Sequence, residues 1–358
     1  MKRIAIKIGS NVLTQSNGAL DTERMSAIAA QIAALHRSGI EILLISSGAV
    51  VSGRNELPLK KQLDTVSSRQ LFAAVGQAKL INRYYELFRK YGIVCGQILT
   101  TKENFSSRRH YLNQRNCMSV MLDTGVIPIV NENDAVSVTE LMFTDNDELA
   151  GLIATMMDAE TLVILSNIDG IFDGNPADPS AKVIANINTA GLKDVADYIQ
   201  TGQSSFGRGG MRTKYNIARK VAEEGIPVII ANGKRDNILL DIFNNPDAVC
   251  TRFVANPKPT SKVKKWIAHS EGFAKGEIYI NEGAKTALLG EKASSLLAVG
   301  VVRTVGDFEK DDIVKILDAS GECIGVGRVG CDSREVQAKI GKKGDKPVIH
   351  YDYLYINE

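Results

Sequence analysis

What most constrains this chain is a recurrence of apolar runs that lack a polar face. Ile4–Ile8, Glu41–Ser46, Ile93–Leu99, Val126–Val130, Thr161–Ser166 and Pro227–Ala231 are each predominantly hydrophobic. Side chains of a strand alternate between two faces, so such runs imply burial on both. Helical patterns separate them. Asp21-Thr22 starts one in which Met25, Ile28, Ile32 and Leu35 share a face, and Gly39 ends it. Others are predicted near Ser68–Lys90, 112–124, 147–157 and Met211–Glu224, the last stopped by Gly225. This alternation predicts an α/β fold, a mostly parallel sheet sandwiched by helices, with Pro227–Ala231 as its last strand.

The pattern changes after about Phe253. Residues 255–274 have linker composition, with Lys258, Lys262, Lys264 and Lys265 as a solvated basic run. Short β-like segments follow at Glu277–Ile280, Ile313–Ile316, Glu322–Val329 and Val348–Tyr353, with a helix near Asn281–Leu289. A length of 358 residues exceeds what one core usually serves. The expected organisation is a catalytic domain at 1–254, a linker at 255–274 and a small β-rich domain at 275–358. The formal charge of +2 argues for neither a nucleic acid nor a membrane partner. The five cysteines lack C-x-x-C spacing and the four histidines do not cluster with them, so no residue is singled out as a metal ligand. MKRIAIKIG is too short for a signal peptide and no run reaches about 18 apolar residues, so the expected compartment is the cytoplasm.

Polar chemistry concentrates in Asn131–Glu148, between a predicted strand and a predicted helix. Asn131, Glu132, Asn133, Asp134, Glu140, Asp145, Asn146, Asp147 and Glu148 fall there without a lysine or arginine. Loops at the carboxyl ends of parallel strands bind ligands. Acids at a helix start also serve as caps and favour the macrodipole, and the stretch alone leaves both readings open. Lys7 lies inside the first strand, where it either faces water on a sheet edge or meets a negative partner. Glycine turns follow at Gly9-Ser10, Ser47-Gly48 and Gly207–Lys214, each able to bring backbone N–H groups to an anion. No P-loop is present, and no G-x-G-x-x-G follows the first strand, so a dinucleotide-binding fold is not indicated. Two lysines and a set of carboxylates are what phosphoryl transfer needs to hold charge in place.

The segments KIGS, SSGAVVSGR (46–54), AAVGQ (73–77), INRYYELFRKYG (81–92), VNENDAV (130–136), TDND (144–147) and GGMRTK (209–214) resemble, in order, those of the bacterial glutamate 5-kinase branch of the amino acid kinase family. EGAKTALLGEKASSLLAVGV (282–301) and GVGRVGCDSREVQAKIG (325–341) resemble a PUA domain. The resemblance implies an amino acid kinase fold followed by a PUA domain. It implies ATP-dependent phosphorylation of the γ-carboxylate of L-glutamate to γ-glutamyl phosphate, the entry to proline synthesis, with Mg²⁺ accompanying ATP and proline as a feedback inhibitor. Lys7, Lys214 and Asp147 would be catalytic, Asp147 orienting the two lysines. Ser47, Gly48, Asn131, Asp134, Asp145 and Asn146 would face glutamate. Lys7, Gly9, Ser10, Ser166, Asn167, Arg208, Gly209, Gly210, Met211, Arg212, Thr213 and Lys214 would face ATP. Ser166-Asn167 and Arg208 depart from the family's usual Thr-Asp and small residue. A homo-oligomer, dimer or tetramer, is expected.

Two rivals remain beside this reading. One is a kinase of the same fold with another acceptor. N-acetylglutamate has no free ammonium for Asp134 to read, which separates the two. The other is an RNA-binding protein acting through the C-terminal domain. That domain lacks a dense basic stripe interleaved with aromatics, so RNA is the less favoured partner.

Overall fold

The computed structural model describes residues 2–356 apart from 16–17, 58–62, 107, 138–142, 144, 177, 189–209, 258–266, 268–273, 291–293 and 343–345. The chain forms two compact units. One is Met1–Thr101 with Arg115–Pro259, the other Lys102–Gln114 with Thr260–Glu358.

In the first unit β1 (Arg3–Ile8), β2 (Glu41–Ser46), β3 (Cys95–Thr100), β4 (Ile127–Glu132), β5 (Thr161–Ser166), β6 (Asn186–Asn188), β7 (Val228–Asn232) and β8 (Cys250–Val254) join one sheet. Among the described residues its order is β3-β4-β2-β1-β5-β7-β8-β6. Neighbours are parallel except β7 and β8. The mostly parallel α/β architecture is therefore as expected. Pro227–Ala231 is not the last strand, however. β8 returns antiparallel beside β7, and its exposed and half-buried positions gave no continuous apolar signal.

The helices are α1 (Thr22–Arg37), α2 (Ala49–Glu56), α3 (Thr65–Arg89), α4 (Glu103–Ser106), α5 (Arg108–Asp123), α6 (Asn146–Met156), α7 (Met211–Glu223) and α8 (Ile238–Asn244). Asp21 caps α1 by accepting the Arg24 N–H, and Asp64 caps α3 by accepting that of Ser67. Side chains of Ile4, Ile6 and Ile8 join a core with α1, α3 and α8. Alternation along β1 sends Ala5 and Lys7 to the opposite face, where α6 packs. β1 lies between β2 and β5, so Lys7 is on an internal strand and is buried, not at an edge facing water.

Within SSGAVVSGR, read above only as a glycine turn, α2 occupies Ala49–Glu56. Gly53 inside it weakens the helical signal. Its function is close approach: a Cβ there would stand 1.9 Å from the Phe72 carbonyl oxygen. Reciprocally, a Cβ on Gly76 of α3 would stand 1.8 Å from the carbonyl oxygen of Ala49. The two helices thus pack backbone against backbone, which fixes the start of α2 and the preceding Gly48.

The second unit holds β9 (Gly276–Ile280), β10 (Val301–Val305), β11 (Ile313–Leu317), β12 (Cys323–Arg328) and β13 (Leu354–Ile356), with α9 (Glu282–Leu289) and α10 (Ser333–Lys339). Among the described residues its sheet order is β10-β9-β11-β12-β13. Ile278, Val301, Phe308, Ile316, Val336 and Ile349 belong to its core. Val348–Tyr353 is not a strand. Ile349 makes one bridge to Leu296, Tyr351–Tyr353 turns as a short 3-10 helix, and the strand begins at Leu354.

Replacement Gly76→Ala should force α2 away from α3. We expect a melting temperature lower by several degrees, since overpacking costs about 1–3 kcal/mol, and a change in any activity that depends on the position of Gly48. Thermal denaturation and steady-state kinetics of the variant check both.

Candidate active site

The site lies at the carboxyl ends of β1, β2, β4 and β5, where the chain leaves parallel strands. Its centre is Asp147, in the first turn of α6 and fully buried. Lys7 Nζ is 2.6 Å from Asp147 Oδ1, and Lys214 Nζ donates to Oδ2 at 2.9 Å. Both lysines are nearly buried, at 5% and 8% exposure. Burial alone would raise the Asp147 carboxyl, but the two ammonium groups outweigh it and hold the group below the usual carboxylate range. The cluster carries two cations against one anion and is therefore net positive.

Asp145 resolves the open question of capping. Its Oδ1 accepts from the backbone N–H groups of Asp147 at 2.8 Å and Glu148 at 3.0 Å, so it is the N-cap of α6. Its Oδ2 is buried without a hydrogen-bond partner among the described residues. Burial first, and the neighbouring Asp147 charge second, push this carboxyl up to about 6. Asp145 is both a cap and an acid turned into the site.

Beside the lysine cluster is a cavity of about 440 Å³. Ser47, Gly48, Asn131, Asp134, Asp145 and Asn146 all line it. Gly48 has φ of +110°, left-handed backbone that favours glycine. Asn146 Nδ2 donates to Ser47 Oγ at 2.8 Å and to Asn131 Oδ1 at 3.0 Å. Asn131, which the structure places inside β4 and not in a loop, donates through Nδ2 to Gln77 Oε1 at 2.8 Å. Asn146 Oδ1, like Asp145 Oδ2, is a buried oxygen lacking a hydrogen-bond partner among the described residues. Two such acceptors suit a ligand that brings N–H donors or a cation.

Sequence reasoning missed Gln77 and Arg69. The guanidinium of Arg69 on α3 pairs with Asp134 and lies 3.5 Å from Glu132 Oε2. Glu132 Oε1 accepts the Phe143 N–H at 2.9 Å. Gln77 belongs to AAVGQ, and its polarity within a buried helical face was the available signal. Arg69 had none, because an arginine near a helix start usually faces solvent.

Gly9 N donates to the Leu165 carbonyl at 3.0 Å, so glycine offers room there and not a free N–H. A Cβ on Gly9 would lie 3.6 Å from Lys7 Nζ. Ser10 borders the cavity. Gly210 is the N-cap of α7 without a side-chain cap, and Met211, Arg212, Thr213 and Lys214 form the first turn, Arg212 exposed. Arg208 and Gly209 lie outside the described residues. Ser166 is buried at the end of β5 and its carbonyl accepts the Gly233 N–H at 2.8 Å, while Asn167 is exposed. Beyond them Arg235 binds Asp169 through two 2.7 Å hydrogen bonds, which hold that carboxyl below its ordinary range. Among the described residues no group of three or more His, Cys, Asp or Glu could hold a metal ion.

The amino acid kinase family model matches residues 2–232, and the PUA domain model matches 276–351. Glutamate 5-kinase of Bacteroides thetaiotaomicron is 66% identical, covering 99% of this chain and 98% of its own. That of Chlorobaculum tepidum is 48% identical, covering 99% and 97%. A carbamate kinase from Giardia lamblia, solved bound to AMP-PNP, superposes with a TM-score of 0.53 at 16% identity, over 71% of this chain and 99% of its own. That last likeness shows the shared fold.

The raised Asp145 carboxyl has a signed consequence. Its folded value, about 6, exceeds the unfolded 3.8, so ionisation opposes folding. The penalty is absent below about pH 4, grows through the interval, and is complete above about pH 6. Asp145→Asn keeps an oxygen for the cap and removes the charge. We expect the variant to be more stable than the parent at pH 8, by up to about 3 kcal/mol, and equal to it at pH 4. Urea denaturation at the two pH values measures the difference.

Proposed function

The chain belongs to the amino acid kinase family, in its glutamate 5-kinase branch, and from that premise we propose how its residues perform the transfer. The reaction is ATP-dependent phosphorylation of the γ-carboxylate of L-glutamate, giving γ-glutamyl phosphate as the first step of proline biosynthesis. The observation that carries the residue assignment is the Lys7–Asp147–Lys214 cluster set beside a polar cavity.

Glutamate's γ-carboxylate is ionised at neutral pH, so no base is needed to activate it. The obstacle is repulsion between an anionic nucleophile and an anionic phosphate. Lys7 and Lys214 would hold the phosphate oxygens, and Asp147 would fix both ammonium groups where charge develops. Fixed positions also supply the orientation that the reaction requires. The N-terminus of α7, through Gly210–Thr213, would add N–H groups and partial positive charge, with Arg208 and Gly209 in the turn before it. Gly9 and Ser10 would leave room for the phosphates, and Ser166-Asn167 would border the nucleotide. On the acceptor side, Ser47, Gly48, Asn131 and Asn146 would orient the substrate, with Asp134 toward its ammonium.

The residues suit a Mg²⁺ that arrives on the nucleotide. They include no caging set of carboxylates, and Asp147 is occupied by two lysines. Asp145 Oδ2, buried without a hydrogen-bond partner among the described residues, would contribute the protein's oxygen. Mg²⁺ would neutralise phosphate charge.

Further readings rest on supporting features. Proline shares the α-amino acid end of glutamate and would inhibit by occupying the same cavity. Val94 and Leu99 at the edge strand and Val120 on α5 are exposed apolar residues that a second copy would cover, consistent with a homo-oligomer. All five cysteines are free thiols, which fits a cytoplasmic enzyme, and no described helix is long and apolar enough to cross a membrane. Catalysis is assigned to residues 1–254, and the PUA domain at 275–358 to a structural or regulatory role rather than RNA binding.

With ATP, Mg²⁺, glutamate and hydroxylamine, the enzyme should release ADP and γ-glutamyl hydroxamate in equal amounts, and proline should suppress both. Failure with glutamate alongside turnover of N-acetylglutamate would overturn the acceptor assignment. Lys214→Ala should lower kcat at least about 100-fold, the scale of losing one charge-stabilising donor. Its melting temperature should stay within a few degrees, because Lys7 still pairs with Asp147.

A further inference from the structure

We infer that Arg69 is a specificity-determining residue: together with Asp134 it forms a charge pair that reads the α-carboxylate and α-ammonium of the acceptor amino acid. This deepens the acceptor assignment above and rests on it.

Arg69 and Asp134 line the same cavity and touch one another. Their side chains retain 22% and 11% exposure, so neither is sealed from a ligand entering the cavity. An α-amino acid carries its cation and anion on a single carbon. A wall with a cation beside an anion is complementary to that arrangement when the two dipoles lie antiparallel. Asp134 then faces the ammonium and the guanidinium faces the carboxylate, closing a ring of four alternating charges. Arginine suits this position because its planar fork matches carboxylate geometry.

The pair is braced from both sides. Glu132 Oε2 lies 3.5 Å from Arg69 Nη2, and its other oxygen is tied to the Phe143 N–H. The adjacent Gln70 donates through Nε2 to the Ala135 carbonyl at 3.1 Å, so α3 holds the Asp134 turn by a bond that does not involve Arg69. Arg54, the other arginine lining the cavity, stacks over Phe72, its guanidinium carbon 5.8 Å from the ring centre. The pair also explains how the cavity selects one end of glutamate. The lysine cluster is net positive and receives the γ-carboxylate and phosphate. The Arg69–Asp134 wall has both signs and receives the zwitterionic end.

The test compares glutamate with 4-aminobutyrate, which keeps the γ-carboxylate and the ammonium and lacks only the α-carboxylate. In Arg69→Met, KM for glutamate should rise about 10- to 100-fold, as for loss of a charge-assisted carboxylate contact, with kcat within about three-fold of the parent. The inhibition constant of 4-aminobutyrate should stay unchanged or fall, since Asp134 loses its competing cation. Arg69→Lys, retaining charge without the fork, should recover part of the glutamate affinity and guards against a folding defect in the first variant. Equal weakening of both ligands, or a loss confined to kcat, would overturn the inference, because Arg69 would then act only through Asp134 or the fold. Absence of glutamate phosphorylation by the parent enzyme would instead overturn the acceptor assignment.

Discussion

The structure turns on one carboxylate shared by two lysines. An unpaired ammonium in the protein interior is costly, and Lys7 and Lys214 are both nearly buried. Asp147 compensates them together, one oxygen to each. The arrangement joins β1, α6 and α7, segments far apart in the chain, and only a sheet with β1 in its interior can bring them to one edge. Alternation along β1 does the rest. Ile6 and Ile8 enter the core with α1 and α3, and Lys7 between them turns to the α6 face. Lys7 and Lys214 together carry one more charge than Asp147 neutralises, an arrangement that suits an anionic ligand.

The second constraint is the contact between α2 and α3. Two glycines, Gly53 and Gly76, let these helices meet at their backbones. One residue beyond Gly76, Gln77 holds Asn131, Asn131 holds Asn146, and Asn146 holds Ser47. A packing feature is therefore continuous with a polar chain that reaches the cavity. The orientation of Asn146 therefore depends on the register of these two helices.

The central strands were legible because burial on both faces writes itself as an unbroken apolar run. β8 was not, since two of its five positions remain partly exposed. α2 was hidden by the glycine that lets it pack. In the second unit, Val348 and Ile349 supply core side chains from a bend and an isolated bridge, so apolarity alone gave the wrong element. The acidic stretch was visible as a site, and the family resemblance assigned Asp147 to the two lysines, but the residues alone left Asp145 between cap and site. Asp145 and Asp147 are two residues apart and have opposite environments, one neighboured by backbone N–H groups and the other by lysines from distant segments. Arg69 left no trace in the sequence because its meaning comes from Asp134, which only the fold places beside it.

The opposed shifts of Asp145 and Asp147 follow from that division. Both are buried, and burial alone would raise both. Two ammonium groups reverse the effect at Asp147, while the resulting Asp147 charge adds to the burial of Asp145. Asp145 thus retains a carboxyl that ionises reluctantly, with one oxygen lacking a hydrogen-bond partner among the described residues. A cation entering the cavity would relieve that cost directly, by supplying the countercharge that the two lysines have already given to Asp147. Asp145 is thus a buried carboxyl whose ionisation opposes folding, the kind of perturbed group that clusters at functional sites.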